Sequence, residues 1–249
     1  MKSRLRLGAA LRVPGTLVAA MPKAFQPRSG TRRSTGLAKP ALARSLVEEI
    51  RTTTRPAAQK EAIARLDRAV ELLERGDTRG AGSEAEKAKI LAPRSAAVRE
   101  VLGMALYGQG RWREALAELK TYKRFSGRVD QNHLIADCLR ALGKPDQAVP
   151  LAEEALRSNI PVDAKAEAVI VAAASLRDLG RHGEALAILR RAQTREDVSQ
   201  AYTLRLWYLA ADVLERSGRK DEAEREFRKI LRHDPSAFDV AERVAQLSG

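Results

Sequence analysis

The chain has 249 residues, of which 44% are hydrophobic but only 4% aromatic. That is enough for a sizeable core, and it suits alanine-rich packed helices better than a β-sandwich. The formal charge of +13 is unevenly placed, since residues 1–47 carry ten Lys and Arg and no Asp or Glu. The single cysteine, Cys138, excludes an intrachain disulfide framework, and no run approaches the ~20 apolar residues needed to span a bilayer.

Residues 1–40 mix Arg, Gly, Pro, Ser and Thr without an apolar period and are expected to form a basic, disordered tail. Lys2, Arg4 and Arg6 followed by LGAALRVPGTLVAA loosely imitate a secretory signal, although Arg12 and Pro14 interrupt its apolar stretch. A start at Met21 is an alternative reading of the same stretch. Arg4, Arg6, Arg12, Arg28, Arg32 and Arg33 are the tail's candidate contacts for a polyanion such as RNA. From Ala41 the pattern changes: Leu42, Leu46, Val47 and Ile50 share one helix face, and Arg55-Pro56 should end it. Residues 41–58 therefore read as a short helix and linker.

From Gln59 the sequence repeats itself. GDTRGA (76–81), GRWREA (110–115), GKPDQA (143–148), GRHGEA (180–185) and GRKDEA (218–223) each pair a glycine with an alanine five residues later. Successive glycines are 34, 33, 37 and 38 residues apart. A glycine-containing connection between amphipathic helices is an αα-hairpin turn, with the glycine in the left-handed conformation and the alanine where two helices cross. Segments such as AAVREVLGMALYGQ and LRLWYLAADVLERS supply first helices, and REALAELKTYKRF and DEAEREFRKILRH supply second ones. Pro93 and Pro235 act as helix stops. Residues 236–248 are expected to form a final capping helix with Phe238, Val240, Val244 and Leu247 inward. The expected fold class is all-α, an α-solenoid of about five hairpins over residues 59–249.

These hairpins resemble the tetratricopeptide repeat family. The last unit matches its pattern through Trp207, Gly218, Ala223, Phe227 and Pro235, and the second through Leu102-Gly103, Gly110 and Ala115. Elsewhere aliphatics replace the aromatics, with Leu139 and Leu176 for Tyr and Ala152 and Leu189 for Phe, while Ala136, Ala173 and Ala211 replace the first-helix Gly. The first unit, with Gly80 and Gly82 inside its second helix, departs most.

The resemblance implies a concave surface, lined by first helices, that binds a peptide or helix of a protein partner. Counting ten, six and three residues back from each turn glycine gives Glu100, Met104 and Tyr107, then His133, Asp137 and Arg140. The same count gives Ile170, Ala174 and Arg177, then Tyr208, Asp212 and Glu215, with Arg205 near the rim. Tyr107 and Tyr208 are candidate anchors, and Arg140 and Arg177 candidate carboxylate forks. As solvated charges, Arg140 and Arg177 should tolerate exchange for Glu with little change in stability. The Lys and Asn with which chaperone-binding members of the family clamp a carboxylate are absent from these positions.

No HExxH, CxxC, GxSxG or Gly-rich phosphate loop occurs, and His133, His182 and His233 have no metal-ligand spacing. The expectation is a cytoplasmic adaptor or scaffold without catalytic activity, cofactor or metal. Two alternatives remain at this level: an RNA- or ribosome-associated factor docking through its basic arm, and an exported adaptor.

Overall fold

The computed structural model of the protein describes residues 44–191 and 202–248. The tail of residues 1–40, with its candidate arginines Arg4, Arg6, Arg12, Arg28, Arg32 and Arg33, lies outside the described residues. Twelve helices occur among those described: α1 (Arg44–Thr53), α2 (Pro56–Glu74), α3 (Thr78–Leu91), α4 (Ala96–Gly108), α5 (Trp112–Ser126), α6 (Asn132–Ala141), α7 (Pro145–Arg157), α8 (Val162–Asp178), α9 (His182–Arg191), α10 (Thr203–Arg216), α11 (Lys220–His233) and α12 (Val240–Leu247). Five hairpins, α2/α3 through α10/α11, meet at the five expected glycines, and the fold class is an α-solenoid.

The hairpin turns follow from one local device. Gly76, Gly110, Gly143, Gly180 and Gly218 all have φ between 72° and 81°. In each turn the N–H one residue further on donates to a carbonyl of the preceding helix. These bonds are Asp77 to Leu72 (2.9 Å), Arg111 to Leu106 (3.0 Å), Lys144 to Leu139 (2.9 Å), Arg181 to Leu176 (2.8 Å) and Arg219 to Leu214 (3.0 Å). This Schellman arrangement needs a left-handed residue, which glycine adopts without strain. A Cβ on Gly110 would meet only Trp112, at 3.5 Å, so its role is conformational and not steric. Gly110→Val is therefore expected to cost about 1 kcal/mol or more in urea unfolding. An unchanged midpoint would remove the turn assignment.

The alanines five residues on, Ala81, Ala115, Ala148, Ala185 and Ala223, are fully buried. Close approach also explains Gly103 in α4, where a Cβ would come within 2.7 Å of Leu119 in α5. Gly80 and Gly82 leave α3 intact: Asp77 caps the helix by accepting from Gly80 N at 2.8 Å, and Gln109 lies against Gly82. Pro56 opens α2, ahead of the Gln59 expected from the repeat pattern, because proline suits the first helical position. Pro150 sits within α7 on its exposed side.

The described chain divides into two compact units, one ending at Cys138 and the other beginning at Leu139, within α6. The core of the first includes Ile50, Leu66, Val101, Leu102, Leu106, Leu119, Tyr122 and Leu134. In the second, one apolar cluster runs from Val149 through Ile170, Leu209, Ala223 and Phe227 to Val240. Its capping helix, α12, starts later than residue 236. Phe238 takes φ 52° ahead of the helix and turns its ring onto Tyr208, with centroids 5.1 Å apart.

Candidate functional site

The first-helix positions singled out by counting back from the turn glycines are mostly buried, not solvated. Tyr107, His133, Asp137, Arg140, Tyr208 and Asp212 are all buried, and the Arg177 side chain is only 9% exposed. The reason is periodic. A first-helix residue meets its counterpart in the next repeat, so polar groups about one repeat apart satisfy one another.

In the first unit the Tyr107 hydroxyl donates to Asp137, and Gln131 Nε2 donates to Glu100 Oε1 at 2.7 Å. Beside them Tyr122 donates to Asp130 at 2.7 Å, and Arg128 pairs with the same carboxylate. His133 is buried on α6. Among the described residues no group of three or more His, Cys, Asp or Glu side chains is placed to hold a metal ion. Cys138 is also buried, which pushes its thiol well above the usual range and leaves it a small core residue.

Glu100 is the electrostatic anomaly of this unit. Burial pushes its carboxyl up to about 7, the nearby Asp130 adds to the shift, and the hydrogen bond from Gln131 and the charge of Arg128 oppose it. The unfolded chain loses that proton near 4.5. Between about pH 4.5 and 7 the native state thus holds a proton that the unfolded state has released, and stability falls as pH rises. Glu100→Gln keeps an acceptor for Gln131 and removes the ionisation. It is expected to stabilise the protein by about 2–3 kcal/mol at pH 8 and by almost nothing at pH 4, read from urea unfolding at both values. Equal effects at the two pH values would show that Glu100 is not buried as a titrating group.

The second unit carries a continuous chain of ion pairs on its first helices and cap. Arg140, in the last turn of α6, pairs with Asp178 at 3.1 Å, and Asp178 with its neighbour Arg177 at 2.7 Å. Arg177 Nη1 lies 2.8 Å from Asp212 Oδ2 on α10, and Arg243 on α12 reaches Asp212 at 3.1 Å and Glu215 at 2.5 Å. Burial alone would raise the Asp212 carboxyl, but the guanidinium charges of Arg177, Arg243 and Arg216 outweigh it and hold the pKa low. Arg205 makes two 2.7 Å bonds to Glu167, and the Tyr208 hydroxyl donates to Asp239 at 2.7 Å.

The structure thus brings Arg140, Arg177, Tyr208 and Asp212 into one row within the second unit, with Arg205 on a separate pair. Tyr107 and Asp137 meet within the first. Counting back from turn glycines missed Asp178, Glu167, Asp239 and Arg243. Asp178 lies one position off the counted register, and Arg243 belongs to a cap that has no turn glycine to count from. Opposite charges about one repeat apart, such as Arg177 and Asp212, were the available signal.

Models of the tetratricopeptide repeat match residues 135–234 and 96–120, and the chain belongs to that family. It is similar in structure to TTC0263, a thermophilic TPR protein of Thermus thermophilus, with 22% identity, a TM-score of 0.58, and 75% of this chain and 98% of that chain covered. It is also similar to YrrB, described as a TPR protein with an unusual peptide-binding site, at 18% identity and TM-score 0.56, covering 81% of this chain and 98% of that one. For the MamA protein the figures are 18%, 0.55, 75% and 95%. No curated protein matches the chain. The family fold is one that generally serves protein–protein interaction without catalysis. No described helix is long and apolar enough to cross a membrane.

Proposed function

We propose that the protein is a non-catalytic cytoplasmic adaptor that binds an extended segment of a partner protein along its first helices. The observation that carries this reading is the run of ion pairs from Arg140 through Asp178, Arg177, Asp212 and Arg243 to Glu215. Packing does not require it, because apolar residues of similar volume stabilise a helix interface as well as buried ion pairs do. A row of alternating charges can instead exchange partners with a peptide that presents its own carboxylates and guanidiniums, with Arg205 nearby as a further guanidinium. YrrB, a protein of the same fold, is described as having an unusual peptide-binding site, which supports a peptide as the class of ligand.

The test compares two double variants of the intact chain by affinity capture. Arg205→Gln with Glu215→Gln neutralises first-helix groups whose side chains are 14% and 27% exposed, respectively. Arg225→Gln with Glu226→Gln does the same on the second helix α11. The first pair is expected to lose the protein that the native chain recovers, at an unchanged circular-dichroism spectrum, and the second to keep it. The reverse pattern would move binding to the second helices.

A further inference from the structure

The second helices of the first unit carry an exposed face that neither the core nor the first-helix pairs use. Exposed on α3 are Arg79, Ser83, Lys87 and Ile90, and on α5 Arg113, Ala117, Lys120 and Arg124 recur at the spacing of one helix face, with Phe125 beside them. Arg124 follows Ile90 by 34 residues, as Gly110 follows Gly76, so the two stripes stand in register. Lys89 of α3 reaches Glu118 of α5 at 3.0 Å, which holds the two helices side by side.

Charge on this face is one-sided. Residues 111–128 hold six Lys and Arg against two Glu. The carboxylates of α3 and α5 are all engaged: Glu84 by Arg65 and Lys87, Glu86 by Lys89, Glu114 by Arg111, and Glu118 by Lys89 and Arg99. By contrast, Arg79, Arg94, Arg113, Lys120 and Arg124 are exposed and form no ion pair among the described residues. Two large apolar side chains stand among these cations. Ile90 is 79% exposed and Phe125 40%, with the Arg124 guanidinium 5.2 Å from the Phe125 ring centre. A single-stranded polynucleotide would satisfy the cations and the aromatic ring, but it offers nothing to an isoleucine. An anionic lipid surface meets both needs, with headgroup charges for the cations and an apolar layer beneath for Ile90 and Phe125.

We propose that the exposed face of α3 and α5, centred on Ile90, Arg94, Lys120, Arg124 and Phe125, docks on an anionic membrane surface. The cations lie at the headgroups and the two apolar side chains enter the interface between them. Each cation near such a surface strengthens binding about fivefold. Because this face belongs to second helices, the first-helix surface stays open, and a protein partner bound there is held at the membrane.

The test uses the intact chain with Ile90→Cys carrying an environment-sensitive fluorophore, the buried Cys138 staying unlabelled. Vesicles of phosphatidylcholine with phosphatidylserine are expected to shift its emission to the blue, and vesicles of phosphatidylcholine alone are not. The same fluorophore at Leu179→Cys, an exposed apolar position of the second unit, should stay in water. Arg94→Gln, Lys120→Gln and Arg124→Gln together should raise the lipid concentration at half-shift about 100-fold, at an unchanged circular-dichroism spectrum. Added salt should act in the same direction. A label at residue 90 that stays in water, whether or not the chain binds the vesicles, would overturn the proposal. So would equal shifts at residues 90 and 179, or a shift at residue 90 with an RNA oligonucleotide or polyglutamate but not with vesicles. The measurement needs no protein partner, so its failure leaves the adaptor reading intact.

Discussion

Arg177→Glu is expected to destabilise the second unit by about 3–5 kcal/mol, the range for removing one partner of a buried ion pair. Arg177 stands between Asp178 at 2.7 Å and Asp212 at 2.8 Å, with its side chain 9% exposed. Glutamate there would face two carboxylates at close range. Arg243 and Arg216 would still neutralise part of the Asp212 charge, at 3.1 Å each, which sets an upper bound on the loss. Equilibrium urea unfolding reads the effect directly. A midpoint within error of the native protein would mean that the guanidinium faces solvent, as its sequence position alone suggests.

Phe227→Ala is expected to cost about 3–5 kcal/mol, the range for emptying a buried aromatic site. Phe227 is fully buried, edge-on to Tyr208 with centroids 5.6 Å apart, and Arg243 lies 5.0 Å from its ring centre. Loss of the ring therefore opens a cavity beneath both the capping helix and the ion-pair row. Loss of the Arg243 contact should loosen α12 as well, seen as faster amide exchange over Val240–Leu247. If α12 exchange is unchanged while global stability falls, the cap is held by its other contacts alone.

The hairpins were legible because their signals are local. A turn glycine and an alanine five residues on report backbone conformation and helix crossing within one hexapeptide, and all five pairs sit as the pattern requires. Pro93 and Pro235 likewise follow α3 and α11 closely. The polar face was legible only in part. Residues such as Asp137 and Arg177 were found by register, but their burial was not, because it depends on side chains 30 and 35 residues away. A charged residue on a single helix reads as solvated until its neighbour in the next repeat is placed beside it. The delayed start of α12 was illegible for a similar reason: the Phe238 ring is drawn onto Tyr208, and the backbone turns to allow it.

The central claim, that the first helices form the binding surface, is tested most directly by hydrogen exchange on the intact chain with and without its captured partner. The account predicts added protection over α8 and α10 and around Arg243 in α12, with α7, α9 and α11 unchanged. Protection confined to α7, α9 and α11 would contradict it.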